Sequence, residues 1–488
     1  MVTVSQKEFQ RVKVIENAVG GRLSVSEAAR LLQLSERQVQ RLKRRYRPES
    51  RHRRKIVLGK ISFAKRSATL VLLVLGVLVS AAWSQTERVL YSFCAQSGCT
   101  DGANPMAGLV FDQKGNLYGT TLYGGPSSCE GVGCGLVFKL SPKGKETALY
   151  NFCAQRDCTD GALPLAGLIF DQKGNLYGTT EAGGAHGYGV VFKLTPAGRE
   201  TVLYSFCAHT KAAVCTDGAN PHAGAVFDRK GNLYGTTAGG GAHGYGTVFK
   251  LTPKGRETVL YSFCAQNNCT DGEYPYAGVV LDRTGNLYGT TLSGGAVERC
   301  EDASGCGVVF RVTPKGKYTV LYNFCAQNNC ADGEYPYAGL VLDRTGNLYG
   351  TTQYGGASES CSNDYGCGVV FKLTPRSKET VLYSFCAQSN CTDGAGPDAG
   401  LVSDREGSLY GTTTGGGLCA LCGVVFKLTP KGRETVLYSF CAQTNCNDGA
   451  IPGAGLTFDQ KGNLYGTTVY GGPGGYYNGY GVVFKLTP

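Results

Sequence analysis

A unit of about 58 residues recurs seven times between Leu90 and the C-terminus, and any fold for this chain must repeat with it. The phrase LYSFCAQ, or a close variant, starts at Leu90, Leu149, Leu203, Leu260, Leu321, Leu382 and Leu437. NLYGTT starts at Asn116, Asn175, Asn232, Asn286, Asn347 and Asn463, with SLYGTT at Ser408. VFKL or VFRV follows each time. Glycine accounts for 72 of 488 residues without a G-x-y period, which excludes collagen and argues against helix, where each interior glycine costs about 1 kcal/mol.

Each repeat reads as four short strands rich in Tyr, Phe, Val, Leu and Thr. In the second they are predicted at 166–171, 175–180, 190–195 and 201–206. Gln172-Lys173-Gly174 and Pro196-Ala197-Gly198 supply hairpin turns. Four antiparallel strands repeated seven times predict an all-β, seven-bladed β-propeller. The ends are complementary. The first repeat begins with a strand of the fourth type (88–93), and the chain stops after one of the third type (481–487). Pairing the two would close the ring and remove an open edge.

The frame AGLVFD..GNLYGTT..GG…GVVFKLTP.G.ETVLYSF resembles the GloVer tandem repeat of bacterial exported proteins. The resemblance implies a propeller and an exported protein, and brings no catalytic residues.

Charge and cysteine divide the chain. The net charge of +11 resolves into +13 on residues 1–66 and −2 on the rest, and all 22 cysteines follow residue 93. Seven pairs lie after LYSF: Cys94/Cys99, Cys153/Cys158, Cys207/Cys215, Cys264/Cys269, Cys325/Cys330, Cys386/Cys391 and Cys441/Cys446. Four more follow the next GG: Cys129/Cys134, Cys300/Cys306, Cys361/Cys367 and Cys419/Cys422. Cysteines that come and go in twos read as local disulfides made in an oxidising compartment. Blade-to-blade bridges fit the count equally. Zinc is the rival at Cys419-x-x-Cys422, though zinc sites usually need four ligands. Both classes fall in loops that a propeller opens on one face. That stapled face is where a carbohydrate or protein ligand is expected.

Candidate chemistry is sparse. Asp101, Asp160, Asp217, Asp271, Asp332, Asp393 and Asp448 recur in Asp-Gly pairs, which read as turn caps rather than a calcium-binding channel lining. His186, His209, His222 and His243 break the symmetry. His186 and His243, in the shared context Ala-His-Gly-Tyr-Gly, are the weak metal candidates, with no evident carboxylate partner. Tyr274-Pro275-Tyr276, Tyr335-Pro336-Tyr337 and Tyr476-Tyr477 could stack on sugars or peptides, or simply pack between blades. No catalytic residue and no cofactor is expected.

Residues 1–55 read as a helix-turn-helix, with capping boxes Ser5…Glu8, Ser24…Glu27 and Ser35…Gln38. SVSEAARLLQLSERQVQRLKRRY resembles the N-terminal DNA-binding unit of insertion-sequence transposases. The resemblance implies a groove-facing helix carrying Arg37, Gln38, Arg41 and Arg44, with Lys43 and Arg45 toward phosphates. Residues 56–85 carry the apolar run LVLLVLGVLV after Lys60, Lys65 and Arg66, with small residues before Gln85. They read as a signal peptide cut after Ser84, or as a single membrane anchor if the uncharged stretch 67–86 stays uncleaved. Residues 86–488 are then extracytoplasmic, with the N-terminus cytoplasmic only in the anchored case. The expected function is an exported, disulfide-stapled binding module. The alternatives are a membrane-anchored transcription regulator with an external sensor, and an extracytoplasmic hydrolase or lyase.

Overall fold

The computed structural model describes residues 86–126, 129, 131–297, 305–358 and 366–487. The helix-turn-helix and apolar-segment readings lie outside them. Seven four-stranded antiparallel sheets follow one another as the blades of a propeller. In blade 1, β2 (Val110–Phe111), β3 (Leu117–Thr121), β4 (Leu136–Leu140) and β5 (Glu146–Asn151) run in sheet order from first to last. The preceding strand, β1 (Thr86–Ser92), belongs elsewhere. It pairs antiparallel with Val482–Thr487 of blade 7, from Thr86 opposite Thr487 to Ser92 opposite Val482. The two chain ends therefore share one sheet, and the ring closes as the complementary end strands predict.

Three of the four strands fall where the sequence puts them. The first is shorter: Ile169–Phe170 in blade 2, where six residues were expected. Its carbonyls are drawn out of the blade. Thr120 Oγ1 of blade 1 donates to Ala166 O at 3.1 Å, and the same threonine-to-alanine bond recurs around the ring, ending with Thr467 to Ala107 O at 3.3 Å. The third blade is also preceded by a small hairpin, Thr210–Lys211 against Val214–Cys215, because its cysteines are eight residues apart instead of five.

The core lies between blades. The Phe that ends each outer strand meets the Phe of the next blade's third strand edge to face, in seven contacts of 5.0–5.2 Å that include Phe93–Phe138 and Phe440–Phe484. Burying each ring is worth about 1.5–3 kcal/mol. The glycine of LYGTT makes room: a Cβ on Gly119 would sit 2.7 Å from Phe138 Cζ. At the axis, the glycine of each Ala-Gly pair faces its neighbour. A Cβ on Gly224 would lie 2.7 Å from Gly167 O, one on Gly278 2.9 Å from Gly224 O, and one on Gly108 3.2 Å from Gly455 O. Seven backbones can converge this tightly only without side chains.

Candidate functional site

Both loop classes do open on one face. Gly125 N, in the loop between second and third strands, donates to Cys99 O in the inter-blade loop, and Ala103 and Tyr123 exchange backbone bonds in the same place. The hairpins lie at the opposite ends of the strands, capped by aspartates such as Asp171, whose Oδ1 accepts from Lys173 N and Asn175 N.

Under the stapled loops runs a seam that repeats from blade to blade. Asp160 is buried; its Oδ2 accepts from Ala154 N at 2.9 Å and from Tyr150 OH at 2.7 Å, and Oδ1 accepts from Gln155 N at 3.2 Å. All seven Asp-Gly aspartates take the same tyrosine bond, at 2.6–2.8 Å. They are turn caps, and their carboxylates are consumed by the fold. Beside six of them, in the next blade, stands a glutamate of the outer strand. Burial, helped by the neighbouring aspartate, pushes Glu87, Glu146, Glu200, Glu379 and Glu434 up to about 7, and Glu257 to about 8. In each of these six, Oε1 is enclosed and accepts no hydrogen bond. Blade 4 differs: Tyr318 takes the glutamate's place, stacks on Tyr261 at 3.9 Å and donates to Asp271 O.

The cysteines pair within loops. Among the described residues, nine bridges join cysteines three, five or eight positions apart: Cys94–Cys99, Cys129–Cys134, Cys153–Cys158, Cys207–Cys215, Cys264–Cys269, Cys325–Cys330, Cys386–Cys391, Cys419–Cys422 and Cys441–Cys446. Cys306 and Cys367 are also disulfide-bonded, while Cys300 and Cys361 lie outside the described residues. The blade-to-blade alternative does not hold for these nine, since adjacent loop cysteines reach each other first. Bridges do cluster: the sulfurs of Cys129, Cys134, Cys153 and Cys158 lie within 4.8 Å of one another. As disulfides they carry no thiolate for zinc, including at Cys419 and Cys422.

The axial mouth of the same face is where the blades stop agreeing. Two residues before each axial glycine stand Met106, Leu165, His222, Tyr276, Tyr337, Asp398 and Gly453, one per blade. His222 Nε2 lies 3.2 Å from Glu181 Oε1, so this histidine has the carboxylate partner that the sequence did not reveal. Its ring meets Tyr276 edge to face at 4.6 Å. Tyr276 and Tyr337 stack at 5.5 Å, only 12° from parallel. Asp398 follows, its Oδ2 within 3.4 Å of Thr414 Oγ1, its Oδ1 enclosed without a hydrogen bond. Burial pushes Asp398 up to about 7. Met106, Leu165 and Gly453 leave the other side of the mouth apolar.

The predicted site residues are thus only partly assembled here. His186, His209 and His243 are exposed, and among the described residues no histidine belongs to a group of three metal-ligating side chains. Tyr274 and Tyr335 flank the arc, Tyr245–Tyr274 at 5.4 Å and Tyr335–Tyr354 at 6.0 Å. Tyr276 and Tyr337 both pack between blades and line the mouth. Tyr476 instead donates to Leu421 O at 2.8 Å. Arg37, Gln38, Arg41, Lys43, Arg44 and Arg45 lie outside the described residues. Sequence reasoning missed Glu181 and Asp398. The signal available was a variable position inside the otherwise constant Pro-x-Ala-Gly.

Several known proteins are similar. Three solved structures align over most of the ring: a candidate gluconolactonase (12% identity, 83% of this chain and 92% of that one, TM-score 0.36), a candidate glucose dehydrogenase from Thermus thermophilus (18%, 66% and 96%, 0.35) and a luciferin-regenerating enzyme (12%, 83% and 95%, 0.35). No curated protein matches the chain. A helix-turn-helix domain model matches residues 10–55. The Gloeobacter/Verrucomicrobia repeat matches residues 74–216, 209–417 and 360–488, so the chain belongs to the Gloeobacter/Verrucomicrobia repeat family.

Proposed function

We propose that residues 86–488 are exported and act as a binding module, with a carbohydrate or protein ligand seated at the axial mouth of the stapled face. One observation carries this reading: the blades agree along their seams and differ at the mouth, where an aromatic arc from His222 to Tyr337 is flanked by Glu181 and Asp398. Stacking rings with polar groups at their edges suit ligands that offer both an apolar face and hydrogen-bonding groups. The many local disulfides support an oxidising, extracytoplasmic compartment.

The full-length protein, presented to glycan and peptide arrays, is expected to capture a ligand, and capture is expected to fall with Tyr276→Ala and with Glu181→Gln. Capture that survives both changes moves the site away from the mouth.

A second reading is favoured by the His222–Glu181 pair, which has the make-up of an acid–base couple for a hydrolase or lyase. Turnover abolished by His222→Ala while ligand capture persists would select it. The helix-turn-helix match keeps the anchored DNA-binding regulator as a third. It requires that residues 67–86 remain uncleaved; a mature N-terminus at Gln85 in cell fractions removes it.

A further inference from the structure

We infer that the hairpin face of the ring, opposite the stapled loops, is a landing surface for an acidic polysaccharide, whose carboxylate or sulfate groups meet concentric rings of lysine and arginine. This second surface does not depend on what the mouth binds.

The first observation is a separation of charge that the near-neutral total conceals. Of the 29 lysines and arginines among the described residues of the ring, 27 stand at the hairpin ends of the blades or on the third strands beside them. The stapled loops hold only Arg156 and Lys211. The hairpin ends also hold 14 of the 26 described aspartates and glutamates, and nearly all of these are spent on the fold. Seven are the hairpin aspartates, which accept backbone N–H groups of their own turns, as Asp112 does from Lys114 N and Asn116 N. Six are the half-buried glutamates of the outer strands.

The second is the order in which the cations stand. Each inner hairpin carries at least one exposed cation, such as Lys114 in blade 1, Arg283 in blade 4 and Arg405 in blade 6. Farther out, six half-buried lysines of the third strands are held over the second-strand tyrosines, with Nζ 5.1–5.8 Å from the ring centroid. In blade 4, Arg311 stands opposite Tyr288 instead. The outer hairpins add exposed pairs such as Lys143 with Lys145 and Lys431 with Arg433. Among the described residues one of these cations forms an ion pair, Lys427 at 3.9 Å from Asp404 Oδ2. Like charges gathered on one face hold counter-ions, and a polyanion that displaces them gains their release.

The third selects the polyanion. The exposed large apolar side chains among the described residues, from Val132 to Tyr480, all lie in the loops of the opposite face, so the hairpin face has nothing to embed in a bilayer. A plane of headgroups meets hairpin tips, whereas a flexible chain also reaches the lysines set back over the tyrosines. A second copy of the ring offers a poor partner, because seven of its loop-side acids are the buried Asp-Gly caps. For an exported ring, the polyanion with these properties is an acidic glycan.

Surface plasmon resonance of the full-length protein over polygalacturonate, dextran sulfate and unsubstituted dextran tests this. At least one acidic polymer is expected to bind, dextran not, and which one binds identifies the anionic group. The decisive variant combines Lys114→Glu, Lys173→Glu, Lys230→Glu and Lys461→Glu. Blade 6 already carries Glu406 at the equivalent place, so the hairpins accept the change. Binding should weaken at least about 10-fold at about 50 mM salt, with a shallower salt dependence and an unmoved melting midpoint. Arg37→Gln with Arg41→Gln and Arg44→Gln, in the basic N-terminal segment, should leave most of the binding in place. No binding of either acidic polymer, binding indifferent to the four hairpin changes, or binding lost with the N-terminal changes instead each overturns the surface. So does a hairpin variant that loses phosphatidylglycerol vesicles or duplex DNA while keeping the polysaccharide. Tyr276→Ala, which breaks the mouth, should leave polysaccharide binding unchanged, so the two surfaces fail separately.

Discussion

The inter-blade seam and the axial mouth are built from the same repeat, yet they treat it in opposite ways. Along the seam all seven blades place the same Tyr–Asp bond and the same Phe–Phe contact, and six place the same glutamate. At the mouth, seven equivalent positions carry six residue types, with tyrosine alone used twice, at Tyr276 and Tyr337. A group whose partners are the neighbouring blades must recur with them. A group whose partner is a ligand gains nothing by recurring, because one ligand meets each blade differently.

Breaking the seam should cost far more than breaking the mouth. The largest effect is expected from Phe152→Ala, which empties the space between blades 1 and 2 and should lower stability by about 3–5 kcal/mol in denaturant titration. Asp160→Ala comes next. It strands Ala154 N, Gln155 N and the Tyr150 hydroxyl, and about 2–3 kcal/mol should be lost, against less for Asp160→Asn. Replacing both Cys129 and Cys134 by serine removes a short closed loop and should cost about 2 kcal/mol, with the neighbouring Cys153–Cys158 bridge intact on peptide mapping.

The seam should also respond to pH. Its six glutamates have folded pKa values raised to about 7 or 8, above their unfolded value, so the folded state binds the extra protons between those limits. Stability is therefore full below the unfolded value of 4.5 as far as these groups are concerned, and it falls as pH rises from there until the folded values of about 7 to 8 are passed. The hairpin aspartates act oppositely. Hydrogen bonds hold Asp343 down at about 2, so its contribution is lost only as pH drops below the ordinary carboxylate value of 3.8. The melting midpoint should peak near about pH 4, and Glu146→Gln with Glu200→Gln should flatten the alkaline side. A midpoint unchanged from about pH 5 to 8 would show the glutamates to be solvated. The smallest effect on stability belongs to the mouth: Asp398→Asn should move stability by no more than about 0.5 kcal/mol while changing what binds.

Much of this was legible beforehand, and the reasons differ by element. The second to fourth strands follow from alternating β-formers between Gly-marked turns, all within one repeat. The closing strand was legible because the two ends supply complementary halves of a blade. The short first strand was not, because its carbonyls are claimed by threonines one blade away, a partner 46 positions distant for Ala166. Nothing in the local sequence around Glu146 signals burial. Only the Asp101 loop folding over it makes it a buried acid. His222 stands out in the sequence for its rarity, whereas nothing local marks Glu181 or Asp398.

The sequence by itself determined the blade, its sevenfold recurrence and the closure, while the choice between loop staples and blade-to-blade bridges fell to the structure. Each of the first three depends on contacts within one repeat or on a pattern visible at the chain ends. Only the tertiary structure decided which residues stand at the axis and meet there. Seven backbones converge on a ring of glycines, and that convergence brings Glu181 to His222, and Tyr276 to Tyr337, across 41 and 61 residues of chain. No local pattern encodes those meetings, because they are set by the radius at which the blades pack.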